Sequence, residues 1–208
     1  METIIEGCKS IVPCEGKEDV ITWIAHPKGQ FIVLSAWNVF GRKAAVNTWH
    51  RLICSSPSIS RHCFISWLAA GNKLKTLDTV AEWKGGVDIT CVYCHGAVDS
   101  RDHLYFDCAF STSIWKTVLH KLGERRIPRV WSFELQRASI KYKGKSLRAA
   151  IARSAWHACK YHIWKARNGN IFEGIALSES KVVECIKQDV ECRLMGTKGL
   201  HQKVRNGC

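Results

Sequence analysis

Cys91-Val92-Tyr93-Cys94-His95-Gly96-Ala97-Val98-Asp99-Ser100-Arg101-Asp102-His103-Leu104-Tyr105-Phe106-Asp107-Cys108 is the stretch from which the rest of this chain is read. Two thiols at CxxC spacing sit close enough to grip one metal ion. A His and a third Cys five positions apart can close the other half of a tetrahedron. Three thiolates and one imidazole suit Zn²⁺, and four protein ligands leave no position for a substrate or an activated water. The spacing therefore predicts one structural zinc on Cys91, Cys94, His103 and Cys108, with no catalytic role. His95-Gly96 lets the backbone reverse after Cys94, and Ser100 or Asp99 is placed to cap a short helix carrying His103. The competing reading is three buried cysteines and a surface histidine.

Working outward, the chain has 208 residues, eleven of them Cys. Met1 to Glu18 is mixed and acidic, with no apolar segment of the kind a signal peptide carries, and no run approaches a membrane span. The expectation is a soluble intracellular protein with reduced thiols, nucleus or cytoplasm left open, and no membrane partner. Cys54, Cys63, Cys159, Cys185 and Cys192 lie among apolar residues and read as core fillers. A hydrophobic fraction of 46 %, with nine Trp and seven Phe, supplies a real core for a chain of this length.

Charge is the second signal. The net +13 is uneven: residues 121–167 hold thirteen Lys or Arg against Glu124 and Glu134, whereas 91–108 holds three Asp against Arg101. Such asymmetry points to a polyanionic partner, most often nucleic acid. The finger itself is acidic and repels phosphate, so neighbouring helices are expected to make the contacts.

The coarse pattern is mainly α. Val20–Ile24 and Phe31–Leu34 flank His26-Pro-Lys-Gly29 and read as a small N-terminal β-hairpin. Ser35 is read as the cap of a helix ending at Phe40. Short helices follow at 48–54, from Ser60 to Gly71-Asn72, and from Thr76 to Gly85-Gly86. After the finger comes a helix over 113–122. A basic connector occupies 123–145, with its boundary at Arg125–Trp131. A long helix runs from about Ser146 to Asn168, and a last one begins at Ser178 or Ser180. The domain reading is a flexible tail at 1–18, a zinc-binding domain at 19–122, the connector, a C-terminal helical extension at 146–195 and a disordered tail at 196–208. The expected core around the finger is Phe64, Trp67, Leu68, Leu77, Trp83, Phe106, Ile114 and Trp115. On the long helix Arg153, Lys160 and Arg167 recur every seven residues beside Trp156 and Trp164. This stripe reads as a candidate surface for RNA or DNA, the cations tracking the backbone and Trp156 offering a stacking face. Against it, tryptophan is mostly buried, and the favoured reading of Trp156 and Trp164 is as core residues of a helix packed on two sides, with the Lys and Arg still free to form a solvated basic face.

The order of motifs resembles a known family. Trp49-His-Arg-Leu-Ile53, Arg61-His-Cys-Phe-Ile-Ser-Trp-Leu-Ala69, Thr76-Leu-Asp-Thr-Val80 with Trp83, the CxxC…His…Cys set and Ile114-Trp115 follow one another. Together they resemble the reverse transcriptase zinc-binding domain near the C-terminus of plant non-LTR (LINE-type) retrotransposon polyproteins. Ile163-Trp-Lys-Ala-Arg-Asn168 with Ile171-Phe172 looks like the helical segment that trails it. The resemblance implies the same four zinc ligands. No Tyr-x-Asp-Asp-type pair for polymerase chemistry is present, and no acidic set for two Mg²⁺, so the chain is read as a non-enzymatic piece detached from the polymerase, with no small-molecule substrate. The alternative is a zinc-stabilised interaction or scaffold domain, or a non-functional remnant of the element, without nucleic-acid affinity. His50, His62 and His157 have no partner that spacing alone can supply.

Overall fold

The computed structural model describes residues 16, 21–41, 47–54 and 59–196. The chain divides into two units, 1–45 and 46–208. Apart from Gly16 and Gly196, the two tails assigned from sequence lie outside the described residues.

In the first unit the expected hairpin is replaced by a turn and a helix. Trp23 N–H donates to Gly29 O at 2.8 Å, and Gly29, at φ 66°, donates back to His26 O. This closes a tight loop, but no strand ladder follows. Helix α1 (Val33–Phe40) begins two residues before Ser35. Ser35 does not cap it. Its hydroxyl donates to Ile32 O and accepts from Trp23 Nε1, tying the loop to the first helical turn. A strand needs a partner along its length. Among the described residues no strand lies beside the Phe31–Leu34 run, and its second half joins the locally closed helix instead.

The second unit is helical. It comprises α2 (His50–Ile53), α3 (Ser60–Ala70), α4 (Leu77–Ala81), the finger, α5 (Ala109–Lys121), α6 (Trp131–Lys141), α7 (Leu147–Glu173) and α8 (Glu179–Met195). Helix ends follow local chemistry. Asn72 at φ 53° closes α3 while Lys73 N–H reaches back to Leu68 O at 2.7 Å, and Gly123 at φ 77° does the same for α5 through Glu124 and Leu119. Ser146 and Ser178 accept from Ala149 and Lys181 N–H and start α7 and α8. Helix α7 runs past Asn168-Gly169-Asn170 to a left-handed Gly174, because a helix covered by neighbours tolerates a glycine that would end an exposed one.

One core joins these elements, from Leu52 to Ile186. Helix α7 is its axis, packed against α3, α6, α8 and the finger. Residues 123–145, assigned as a connector, contain α6, and its Trp131 and Ala138 belong to this core.

The core expectation needs correction at α3. Phe106, Ile114 and Trp115 are buried as expected, but Phe64, Trp67 and Trp83 are exposed by 58, 47 and 67 %. The fully buried residues of α3 are His62, Ser66 and Ala69, with Ile65, Leu68 and Ala70 packed against the core beside them. His157 of α7 explains this placement, meeting Ser66 Oγ at 2.8 Å through Nδ1 and Leu52 O at 3.1 Å through Nε2. Fully satisfied buried polar groups hold a helix in one orientation. Phe64 and Trp67 stack on each other on the outer face, 6.2 Å apart. Among the described residues, no helix is long and apolar enough to cross a membrane.

Candidate metal centre

The finger is built from two short devices. In the first, Cys91 N–H donates to Ala97 O at 2.8 Å and Thr90 bridges Val98 in antiparallel fashion. His95, at φ 50°, makes the reversal. The left-handed residue is therefore His95 rather than Gly96, a position that His, Asn and Asp tolerate better than other side chains. The backbone amides of Tyr93 and Cys94 point at Cys91 Sγ. In the second device, Ser100 Oγ accepts from His103 N–H at 3.3 Å, so Ser100 is the cap. A π-helical turn (His103–Asp107) follows, closed by Cys108 N–H to His103 O at 2.8 Å. At about 100° per residue an α-helix would leave positions 103 and 108 some 140° apart. The i→i+5 turn brings both onto one side.

The four ligand atoms of Cys91, Cys94, His103 and Cys108 lie within 4.8 Å of one another. Cys91 Sγ is 3.9 Å from Cys108 Sγ, and Cys94 Sγ is 3.2 Å from His103 Nε2. A tetrahedron with Zn–S near 2.3 Å and Zn–N near 2.0–2.1 Å has edges of about 3.8 Å between sulfurs and about 3.6 Å from sulfur to nitrogen. The donor set fits zinc in type, number and spacing. The hydrogen bond between Cys91 and Cys108 pulls the Cys91 thiol well below its ordinary range and pushes Cys108 well above it, where burial adds to the rise.

The chemistry of this donor set decides the comparison with known proteins. Residues 31–115 match the family described as zinc-binding in reverse transcriptase. All four candidate ligands fall inside that match. No curated protein and no solved structure matches the chain.

Packing behind the zinc-binding finger is aromatic. Phe106, between the last two ligands, and Trp115 on α5 are 4 and 0 % exposed, with ring centroids 6.3 Å apart. Tyr93 stacks on Phe110 at 3.8 Å. Asp99, midway between the two ligand pairs, is fully buried. It accepts from Leu77 N–H at 2.9 Å, so Asp99 rather than Thr76 caps α4. It also takes an ion pair from the Arg167 guanidinium of α7. Sequence reading missed this role. An acidic residue inside a metal loop is a weak signal, and its partner lies 68 positions away.

The stripe assigned to nucleic acid is overturned. Arg153, Trp156, Lys160 and Arg167 are 3, 1, 0 and 1 % exposed. Arg153 donates to the carbonyls of Tyr142 and Gly144. Trp156 meets Trp115 edge-on at 5.4 Å. Lys160 Nζ has no hydrogen-bond partner and sits among rings, 3.9 Å from Phe106, 4.3 Å from Trp156 and 4.8 Å from Trp115. Burial lowers its pKa from 10.5 to about 8. A seven-residue recurrence marks one side of a helix, and α7 has neighbours on that side as well.

Proposed function

We propose that this chain is a non-catalytic, zinc-stabilised module derived from a plant-type LINE retrotransposon polyprotein, and that it holds RNA or DNA on a basic surface built from residues 121–148. The order of motifs and the family match over 31–115 support the origin. Cys91, Cys94, His103 and Cys108 hold the zinc, which supplies a four-way crosslink between the two halves of the loop. With four protein ligands no position is left for a reacting group. The role is structural.

The observation that carries the nucleic-acid reading is where the exposed cations lie. Lys121, Arg125, Lys141, Lys143, Lys145 and Arg148 are all exposed. The 121–125 turn and the 141–148 segment adjoin: Arg148 reaches Leu122 O at 3.5 Å and Lys141 meets Glu124 at 2.9 Å across a shallow cleft of about 100 Å³. Glu124 offsets part of this charge, but it also engages Arg126 and Arg137 and is itself buried. Lys143 and Lys145 stand clear of it. Contacts of this type fix a phosphate backbone without reading bases.

Fluorescence anisotropy of labelled RNA and DNA oligonucleotides across 50–200 mM salt tests this. Replacing Lys121, Lys143, Lys145 and Arg148 by Gln weakens binding. It also flattens the log–log salt slope by about 0.9 per lost phosphate contact on duplex DNA, or about 0.7 on single strands. A zinc-loaded parent that binds neither at 50 mM salt favours the scaffold reading.

A further inference from the structure

Away from the finger, three helices bring metal-ligating side chains to one point. His62 comes from α3, His162 from α7 and Asp189 from α8. Their ligand atoms lie within 4.8 Å of one another. His162 Nε2 is 2.7 Å and His62 Nε2 3.2 Å from the same carboxylate oxygen, Asp189 Oδ2. His62 is 1 % exposed, and its Nε2 makes no hydrogen bond despite that proximity. A buried ring nitrogen left unsatisfied is destabilising. A buried nitrogen that lies close to a carboxylate and a second imidazole without bonding to either is explained by an ion shared among all three.

We propose that His62, His162 and Asp189 form a second metal site, which takes a divalent transition metal ion of the zinc type through two imidazole nitrogens and one carboxylate oxygen. The donor chemistry sets the class. Imidazole suits zinc, cobalt, nickel and copper ions, whereas magnesium and calcium require oxygen-rich shells. The His62 ring stacks on Tyr161, with centroids 4.3 Å apart, which restricts its rotation. The side chains of His162 and Asp189 are 12 and 24 % exposed, so two of the three donors are open to solvent. Two features separate this site from the finger. It has three protein ligands, so a water or small ligand completes the shell. Arg61 adds positive potential at both histidines and Lys165 at His162, so its affinity lies below that of the thiolate site. Occupancy clamps α8 to α3 and α7. His62 lies within the family match at 31–115, while the other two ligands lie beyond it.

Cobalt(II) separates the two sites by colour. Thiolate-bound Co²⁺ gives intense near-ultraviolet charge-transfer absorption, whereas a nitrogen–oxygen site gives only weak visible bands. Untagged full chain already carrying zinc at the finger is titrated with Co²⁺ at pH 7.5, with bound metal counted after dialysis. The expected result is one further equivalent of Co²⁺ without thiolate absorption. Affinity for it falls at least ~10-fold in Asp189→Asn and in His162→Ala, and is unchanged in Glu184→Gln, an exposed carboxylate of the same helix as Asp189. Asp189→Asn is isosteric and partly exposed, so it keeps the fold, which circular dichroism verifies. The proposal is overturned if the zinc-loaded chain takes up no further Co²⁺. It is equally overturned if the extra equivalent survives Asp189→Asn, or if it carries the thiolate band. In those cases the three side chains are a hydrogen-bonded polar cluster only. Failure here leaves the finger reading intact, because that rests on different ligands.

Discussion

Replacing Arg167 by Met should destabilise the protein far more than a surface arginine can. Arg167 and Asp99 are 1 and 0 % exposed and form an ion pair that joins α7 to the metal loop. Without the guanidinium, the Asp99 carboxylate stays out of water with the Leu77 N–H as its remaining described hydrogen-bond donor. Breaking a buried pair from one side costs about 3–5 kcal/mol, because a charge is left uncompensated. At roughly 2–4 °C per kcal/mol for a chain of this size, the melting temperature falls by about 6–20 °C. Asp99→Asn alone exposes the opposite problem and should cost a similar amount. The double variant removes both charges, so its loss is smaller than the sum by about 2 kcal/mol or more. The assay is urea unfolding of the zinc-saturated parent, both single variants and the double variant, read as a double-mutant cycle. A loss below about 1 kcal/mol for Arg167→Met, or strict additivity in the cycle, would refute the assignment of this pair as the tie between finger and helix.

Three further outcomes follow from the geometry. Chelating zinc, or changing Cys94 to Ser, should unfold the finger and broaden the amide signals of residues 91–108, since metal binding free energy is folding free energy there; unchanged spectra would remove the structural role. For Lys160, the folded-state pKa of about 8 lies below the ordinary 10.5, so the unfolded chain binds more protons between those values and stability rises as pH increases from 8 to 10. Lys160→Met removes this component and gives a flatter profile over the same window, measured by urea unfolding; equal slopes in parent and variant would contradict it. Phe64→Ser and Trp67→Gln on the exposed face of α3 should change stability by no more than about 0.5 kcal/mol, whereas Phe106→Ala should cost about 3–5 kcal/mol; the reverse order by chemical denaturation would mean that α3 buries its aromatic face after all.

The metal centre was legible because its information is local. All four ligands fall within eighteen residues, and their types and spacings constrain the ion by themselves. Helix ends were legible for the same reason: Asn72, Gly123, Ser146 and Ser178 act through hydrogen bonds to backbone a few residues away. The π-helical turn was not read, although His103 and Cys108 five positions apart carry its signature.

What the sequence by itself determined, then, was the cluster of Cys91, Cys94, His103 and Cys108, several helix ends and the mainly helical class, because each depends on hydrogen bonds or bond geometry within a few residues. Tertiary structure decided which faces are inside. Phe64 and Trp67 of α3 point outward because His157, ninety-one positions from Ser66, supplies a polar partner on the other side. The cations of α7 were taken for surface, yet Arg153 finds backbone carbonyls, Lys160 a set of aromatic rings and Arg167 a buried carboxylate. Burial is set by what packs on a helix from every direction. Neighbours that are distant in sequence leave no mark on the periodicity of the helix they cover.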